Sequence, residues 1–96
     1  MIVIAELNNV PVGTVRFDFD EDGSEVSWTI SPHSRGKGIG KQMVRKAIEE
    51  FGTGVSKARV KSDNLASIKI AQNASLKEVQ KKDGILFFMS QNHAEG

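Results

Sequence analysis

The sequence predicts an α/β (α+β) fold, with one mixed sheet carrying two helices. Two early segments, Pro11–Asp20 and Ser24–Ser31, alternate apolar and polar side chains with the period of half-buried strands. Ile39, Met43, Val44, Ala47, Ile48 and Phe51 then recur at the spacing of one helical face. Further strand-like and helical segments complete the order βββ-α-β-α-ββ, and a sheet covered by helices is its simplest packing.

Each element has a local reason. Met1–Leu7 is a short apolar run that fits a strand, and Asn8-Asn9 is a turn signal. In Pro11–Asp20, Val15, Phe17 and Phe19 point one way and Thr14, Arg16, Asp18 and Asp20 the other. Glu21-Asp22-Gly23 reads as a hairpin turn, and Val26, Trp28 and Ile30 share a face of the next strand. These segments form an antiparallel meander with one apolar face. Pro32 ends it. The helix from Ile39 to Phe51 is closed by Gly52 and Gly54. Lys57–Lys61 alternates as a strand, so strand, helix and strand imply a right-handed crossover and a parallel pair. Asp63-Asn64 offers an N-cap. In the segment after it, Ile68 and Ile70 alternate as a strand would, but Ala66, Ala71 and Ala74 favour helix. Leu76–Lys82 and Ile85–Ser90 pair across Asp83-Gly84.

The bulk numbers bound the function. Ninety-six residues allow one small domain, 1–90, with 91–96 as a flexible tail. No cysteine is present, which excludes disulfides and thiolate metal sites. A net charge of +1 gives no pull toward nucleic acid or membrane, and neither is expected as a partner. Met1–Ala5 meets Glu6 without a basic leader and reads as a strand, not a secretion signal, so the expected location is the cytoplasm. The acidic cluster Asp18, Asp20, Glu21 and Asp22 lacks the spacing of a calcium loop and reads as a solvated turn, so no metal site is expected.

The chemistry-bearing motif is Arg35-Gly36-Lys37-Gly38-Ile39-Gly40, set between a strand and a helix. Glycines at every second position let backbone N–H groups approach an anion, and a helix N-terminus adds about half a positive charge. A triphosphate loop would follow Gly40-Lys41 with a hydroxyl residue, but Gln42 stands there. A dinucleotide fingerprint would place its third glycine one residue later and end the next strand on an acid instead of Lys61.

Arg-x-x-Gly-x-Gly is matched throughout, and on it the chain resembles the GNAT N-acetyltransferases from about Ile2 to Met89. Ile30-Ser31-Pro32 and Asn64-Leu65-Ala66-Ser67 support the resemblance. Pro11–Phe17 with Glu25–Trp28 look most similar to the subgroup that acetylates nucleotide-linked amino sugars. The resemblance implies acetyl transfer from acetyl-CoA to a small-molecule primary amine, by direct attack in a ternary complex. It implies that amides from Arg35 through Gly36, Lys37, Gly38, Ile39 and Gly40, with Lys41 nearby, bind the pyrophosphate. Backbone groups of Ile30 and Ser31 would pair with the pantetheine arm, Asn64 would hydrogen-bond it, and Ser67 lies one helical turn further on.

Two departures follow. The tyrosine acid of much of the family falls at Ala71, and the usual Gly-Phe is Ser75-Leu76. The family's first strand and first two helices would precede Met1, so the expected fold lacks them and a homodimer is expected to supply the missing wall. Glu25, beside the expected centre, is the candidate base, competing with a plain surface carboxylate. His33 and His93 receive no role, and Trp28 reads as core. A non-catalytic acyl-CoA-binding module is the alternative function.

Overall fold

The computed structural model describes residues 1–90. The strands are β1 (Ile2–Leu7), β2 (Val10–Phe19), β3 (Gly23–Ile30), β4 (Val55–Lys61), β5 (Leu76–Lys82) and β6 (Ile85–Ser90). The helices are α1 (Ile39–Phe51) and α2 (Leu65–Asn73). The strands form one sheet in the order β1-β2-β3-β4-β6-β5, with every neighbouring pair antiparallel except β3 and β4. The predicted mixed sheet and its two helices are therefore present, and Leu65–Asn73 is helix, not strand. The tail 91–96, with His93, lies outside the described residues.

Turn chemistry fixes the hairpins. Asn8 and Asn9 both take positive φ, 54° and 67°, as do Asp83 and Gly84 at 53° and 77°. Two left-handed residues in succession are what a tight hairpin turn requires. At the β2–β3 turn, Asp20 Oδ1 instead accepts from the Asp22 and Gly23 amides, each at 2.9 Å. Asn64 caps α2 by accepting from the Ser67 amide at 3.1 Å.

Both helices lie on one face, and a single buried cluster joins them to the sheet. Val15, Phe17, Val26, Ala58, Val60, Leu86 and Phe88 from the strands meet Met43, Val44, Ala47, Ile70, Ala71 and Ala74. Three details differ from the sequence expectation. Phe19 shares the parity of Phe17 but is 50% exposed, because β2 has run past the helices; its ring stacks on Phe17 at 5.9 Å. Gly52 follows α1 in extended conformation, and the left-handed residue is Gly54. A 3-10 turn, Pro32–Ser34, stands before the glycine loop.

The opposite sheet face carries Thr14, Arg16, Asp18, Glu25, Ser27, Thr29, Lys57, Arg59 and Lys61, and no helix among the described residues covers it. The β1 edge exposes Ile2, Ile4 and Leu7. The far edge, β5, carries Lys77, Lys81 and Lys82 and a register shift, features that discourage strand addition.

Candidate functional site

The site begins where the parallel pair stops. β3 and β4 pair only at Gly23–Val55, Ser24–Ser56 and Glu25–Lys57, then diverge. Val55 donates to the Asp22 carbonyl at 2.8 Å, and the Ser31 amide donates the other way, to Val12 on β2, at 2.9 Å. By the alternation of strand hydrogen bonding, the backbone groups of Val26, Trp28 and Ile30 face β4. Past the last pair, Trp28 and Ile30 have no strand partner there.

Ser31 is turned away from this wedge. Its N–H is taken by Val12, and its carbonyl accepts from Ser34 at 2.9 Å. The groups open toward the wedge are those of Trp28 and the Ile30 N–H, while the Ile30 carbonyl accepts from Arg35 Nε at 3.3 Å. The wedge is lined by Val26, Ser27 and Trp28 on one side, Arg59, Val60 and Lys61 on the other, with Asn64 and Ser67 from α2.

The glycine loop lies at the far end of β3. The Arg35 amide is used, donating to Pro32 at 3.3 Å, and its guanidinium Nε reaches the Ile30 carbonyl at 3.3 Å. The amides of Gly36, Lys37 and Gly38 donate to nothing among the described residues. Those of Ile39, Gly40 and Lys41 open α1, whose first turn bond runs from Gln42 to Gly38 at 3.3 Å. Six consecutive amides, 36 to 41, are therefore without backbone acceptors among the described residues where the helix dipole is positive.

The three glycines serve different ends. Gly36 and Gly38 have φ of +79° and +73°, and a Cβ on either would meet nothing within 4 Å. They are needed for backbone conformation. Gly40 is buried, and a Cβ there would lie 2.9 Å from Ile70 Cδ1 and 3.0 Å from Ile30 Cδ1. It lets α1, α2 and β3 approach one another. Lys37 and Lys41 are exposed.

A groove of about 390 Å³ runs from this loop between Ile30 and the Leu65-Ala66 start of α2, with Lys69 and Ile70 on its wall. Trp28 and Ser67, neighbours in the chain of the groove residues Ile30 and Ala66, line the wedge, and Trp28 Nε1 donates to Ser67 Oγ at 3.3 Å. The arrangement suits a long ligand with an anionic end on the loop and a reactive end at the wedge.

A family model described as the acetyltransferase (GNAT) family matches residues 1–74. The chain belongs to the GNAT acetyltransferase family. A GNAT acetyltransferase structure from Streptococcus pneumoniae is similar with a TM-score of 0.78 at 16% identity, covering 93% of this chain and 64% of that one. A ribosomal-protein-alanine N-acetyltransferase from Brucella melitensis gives a TM-score of 0.77 at 24% identity, covering 93% and 67%. A putative acetyltransferase, yncA, from Salmonella typhimurium, solved with its cofactor acetyl-CoA, gives 0.77 at 25%, covering 94% and 63%. This GNAT chain thus spans 63% to 67% of the length of these relatives. A search of curated proteins gives no match.

Within this GNAT fold, Ala71 is fully buried in the core cluster, one turn beyond Ser67. Glu25 sits at the last paired position of β3, and its Oε2 accepts from Arg59 Nε at 2.6 Å. It touches the wedge only through Arg59, which lines it. His33 is exposed in the 3-10 turn. No group of three or more His, Asp or Glu among the described residues is placed to hold a metal. Arg59 and Lys61 were not singled out from sequence. Their parity puts them opposite Val60, but only the strand order brings them to the wedge.

Proposed function

We propose that this chain transfers an acetyl group from acetyl-CoA to a small-molecule primary amine, by direct attack in a ternary complex. One observation carries the reading: a row of unpaired amides at a helix N-terminus shares one groove with the end of a strand whose partner has diverged. Amides from Gly36 to Lys41 hold the pyrophosphate, with Lys37, Lys41 and Arg35 beside it. Backbone groups of Ile30 and Trp28 align the pantetheine arm, Asn64 and Ser67 flank it, and an N–H near Ile30 serves the developing oxyanion. The cofactor, when bound, supplies an activated thioester. The chain's residues orient it and present the amine through the wedge.

Glu25 is the terminal acceptor of the amine's proton, reached by water at the mouth of the wedge. An amino sugar is the leading acceptor, in keeping with the polar wedge walls of Ser27, Arg59 and Lys61. A second copy of the chain is the expected partner. The bare β1 edge, with Ile2 and Ile4 64% and 62% exposed, supports this, and a dimer in sedimentation analysis is the expected result. The reading keeps the chain in the cytoplasm.

The buried Ala71 favours one second reading, an acyl-CoA-binding module without turnover. Calorimetry with acetyl-CoA and with ATP tests the loop, and thiol release over an amine panel tests catalysis. Acetyl-CoA binding with amine-dependent thiol release is expected. Binding without release on any amine leaves the second reading, and binding of ATP alone removes both.

A further inference from the structure

We infer that Ser67 is the hydrogen-bond donor to the sulfur of coenzyme A, and that Trp28 is the residue that positions it. The inference rests on the cofactor reading above and assigns a role that the glycine loop does not supply.

The argument starts from the cross-link. The Trp28–Ser67 bond lies in the wedge lining, one residue past Ala66 and two before Ile30 of the groove, and the glycine-loop amides lie along that groove. A ligand whose phosphates occupy the cradle and whose arm follows Ile30 brings its reactive end to this junction. Breaking a carbon–sulfur bond leaves negative charge on sulfur, and a donor there lowers the barrier.

Two hydroxyls line the wedge, those of Ser27 and Ser67. Ser27 lies on the exposed, helix-free face of β3. Ser67 is on the helical side and half-buried. An indole N–H can only donate, so Ser67 Oγ is the acceptor of the 3.3 Å bond. That fixes a lone pair and leaves the hydroxyl proton without an acceptor among the described residues. The Ser67 amide is itself tied to Asn64 Oδ1, which holds the first turn of α2 in place. The serine is thus oriented from two directions, and its proton is free for a ligand.

In the transfer, the amine lone pair forms the carbon–nitrogen bond and the carbon–sulfur pair departs to sulfur. The amine proton leaves toward Glu25. Ser67 steadies the sulfur charge through its O–H without giving up its proton.

The test measures a property of bound coenzyme A, so it needs no turnover. The pKa of the bound thiol is followed by thiolate ultraviolet absorbance across a pH titration of the full chain with saturating coenzyme A. Ser67→Ala is expected to raise that pKa by about one pH unit, the scale of a hydrogen bond to a charged group. Ser67→Thr, which keeps a hydroxyl, retains the wild-type value. Trp28→Phe, which keeps an aromatic ring but removes the N–H with the ring that carries it, gives an intermediate value. The cations nearby, Arg59, Lys61, Lys69, Lys41 and Arg35, are common to every variant, so the differences report the hydroxyl. An unchanged thiol pKa in a Ser67→Ala protein that still binds coenzyme A overturns the inference. Failure of the wild type to bind coenzyme A overturns the cofactor reading, and the inference with it.

Discussion

Arg59 Nε stands 2.6 Å from Glu25 Oε2, spanning β3 and β4 just where their pairing ends. One carboxylate oxygen is therefore committed to a guanidinium, and the other carries whatever basicity Glu25 contributes. Glu25→Gln is expected to lower kcat/KM about a hundredfold, the low end of general-base effects, with coenzyme A affinity unchanged. Steady-state kinetics and calorimetry check this. Full activity in the Gln variant would make Glu25 an ion-pair partner only.

Gly38 and Gly40 separate by the kind of damage their loss does. Gly38→Ala forces a left-handed φ of +73° on a residue with a Cβ, a cost of about 1 kcal/mol. Its methyl also projects into the open side of the cradle, so coenzyme A affinity is expected to fall. Gly40→Val overpacks against Ile70 and Ile30 and is expected to cost about 2 kcal/mol of stability. Denaturant melts with calorimetry on both variants distinguish the two. Equal stability of Gly40→Val and wild type would contradict the packing role.

Ser24 Oγ is fully buried in β3 and has no hydrogen-bond partner among the described residues. A buried hydroxyl left unsatisfied costs on the order of 1 kcal/mol. Ser24→Ala is therefore expected to raise the midpoint of urea unfolding. A lower midpoint would mean that the hydroxyl is satisfied in solution.

Lys57 Nζ meets Asp20 Oδ2 at 2.7 Å, and the two groups shift each other in opposite directions. The hydrogen bond to Lys57, joined by the Asp22 and Gly23 amides, holds Asp20 below its ordinary 3.8. The same bond holds Lys57 above its ordinary 10.5. A depressed carboxylate stabilises the fold above its unfolded pKa, and the contribution fades as pH falls through the folded one. A raised amine stabilises below its unfolded pKa and fades as pH rises through the folded one. The Tm difference between wild type and Lys57→Met is thus expected to be widest at intermediate pH and to close at both extremes. A difference independent of pH would show that Lys57 acts through its alkyl stem.

Much of the fold was legible because its signals are local. Alternation gave the strands, the α1 stripe is amphipathic, and Asn8-Asn9 and Asp83-Gly84 announce turns that only left-handed residues can make. The glycine loop was legible for the same reason. Where the sequence reading stopped, the missing information was non-local. Gly36, Gly38 and Gly40 look alike in a string of letters, yet Gly40 is constrained by Ile30 and Ile70, ten residues before it and thirty after. The amides of Ser31 and Arg35 read as open until Val12 and Pro32 are placed against them. Trp28 read as core, and its polar end acquired a partner only when α2 packed across β3.

The three-pair seam between β3 and β4 has a mechanical consequence. It makes the sheet two antiparallel leaves, β1-β2-β3 and β4-β6-β5, hinged at one end. A small change of twist at Glu25 and Lys57 is magnified with distance along the diverging strands. The gap at Trp28 therefore answers to side chains beside the hinge, and leverage, as much as contact, sets how wide the cleft stands.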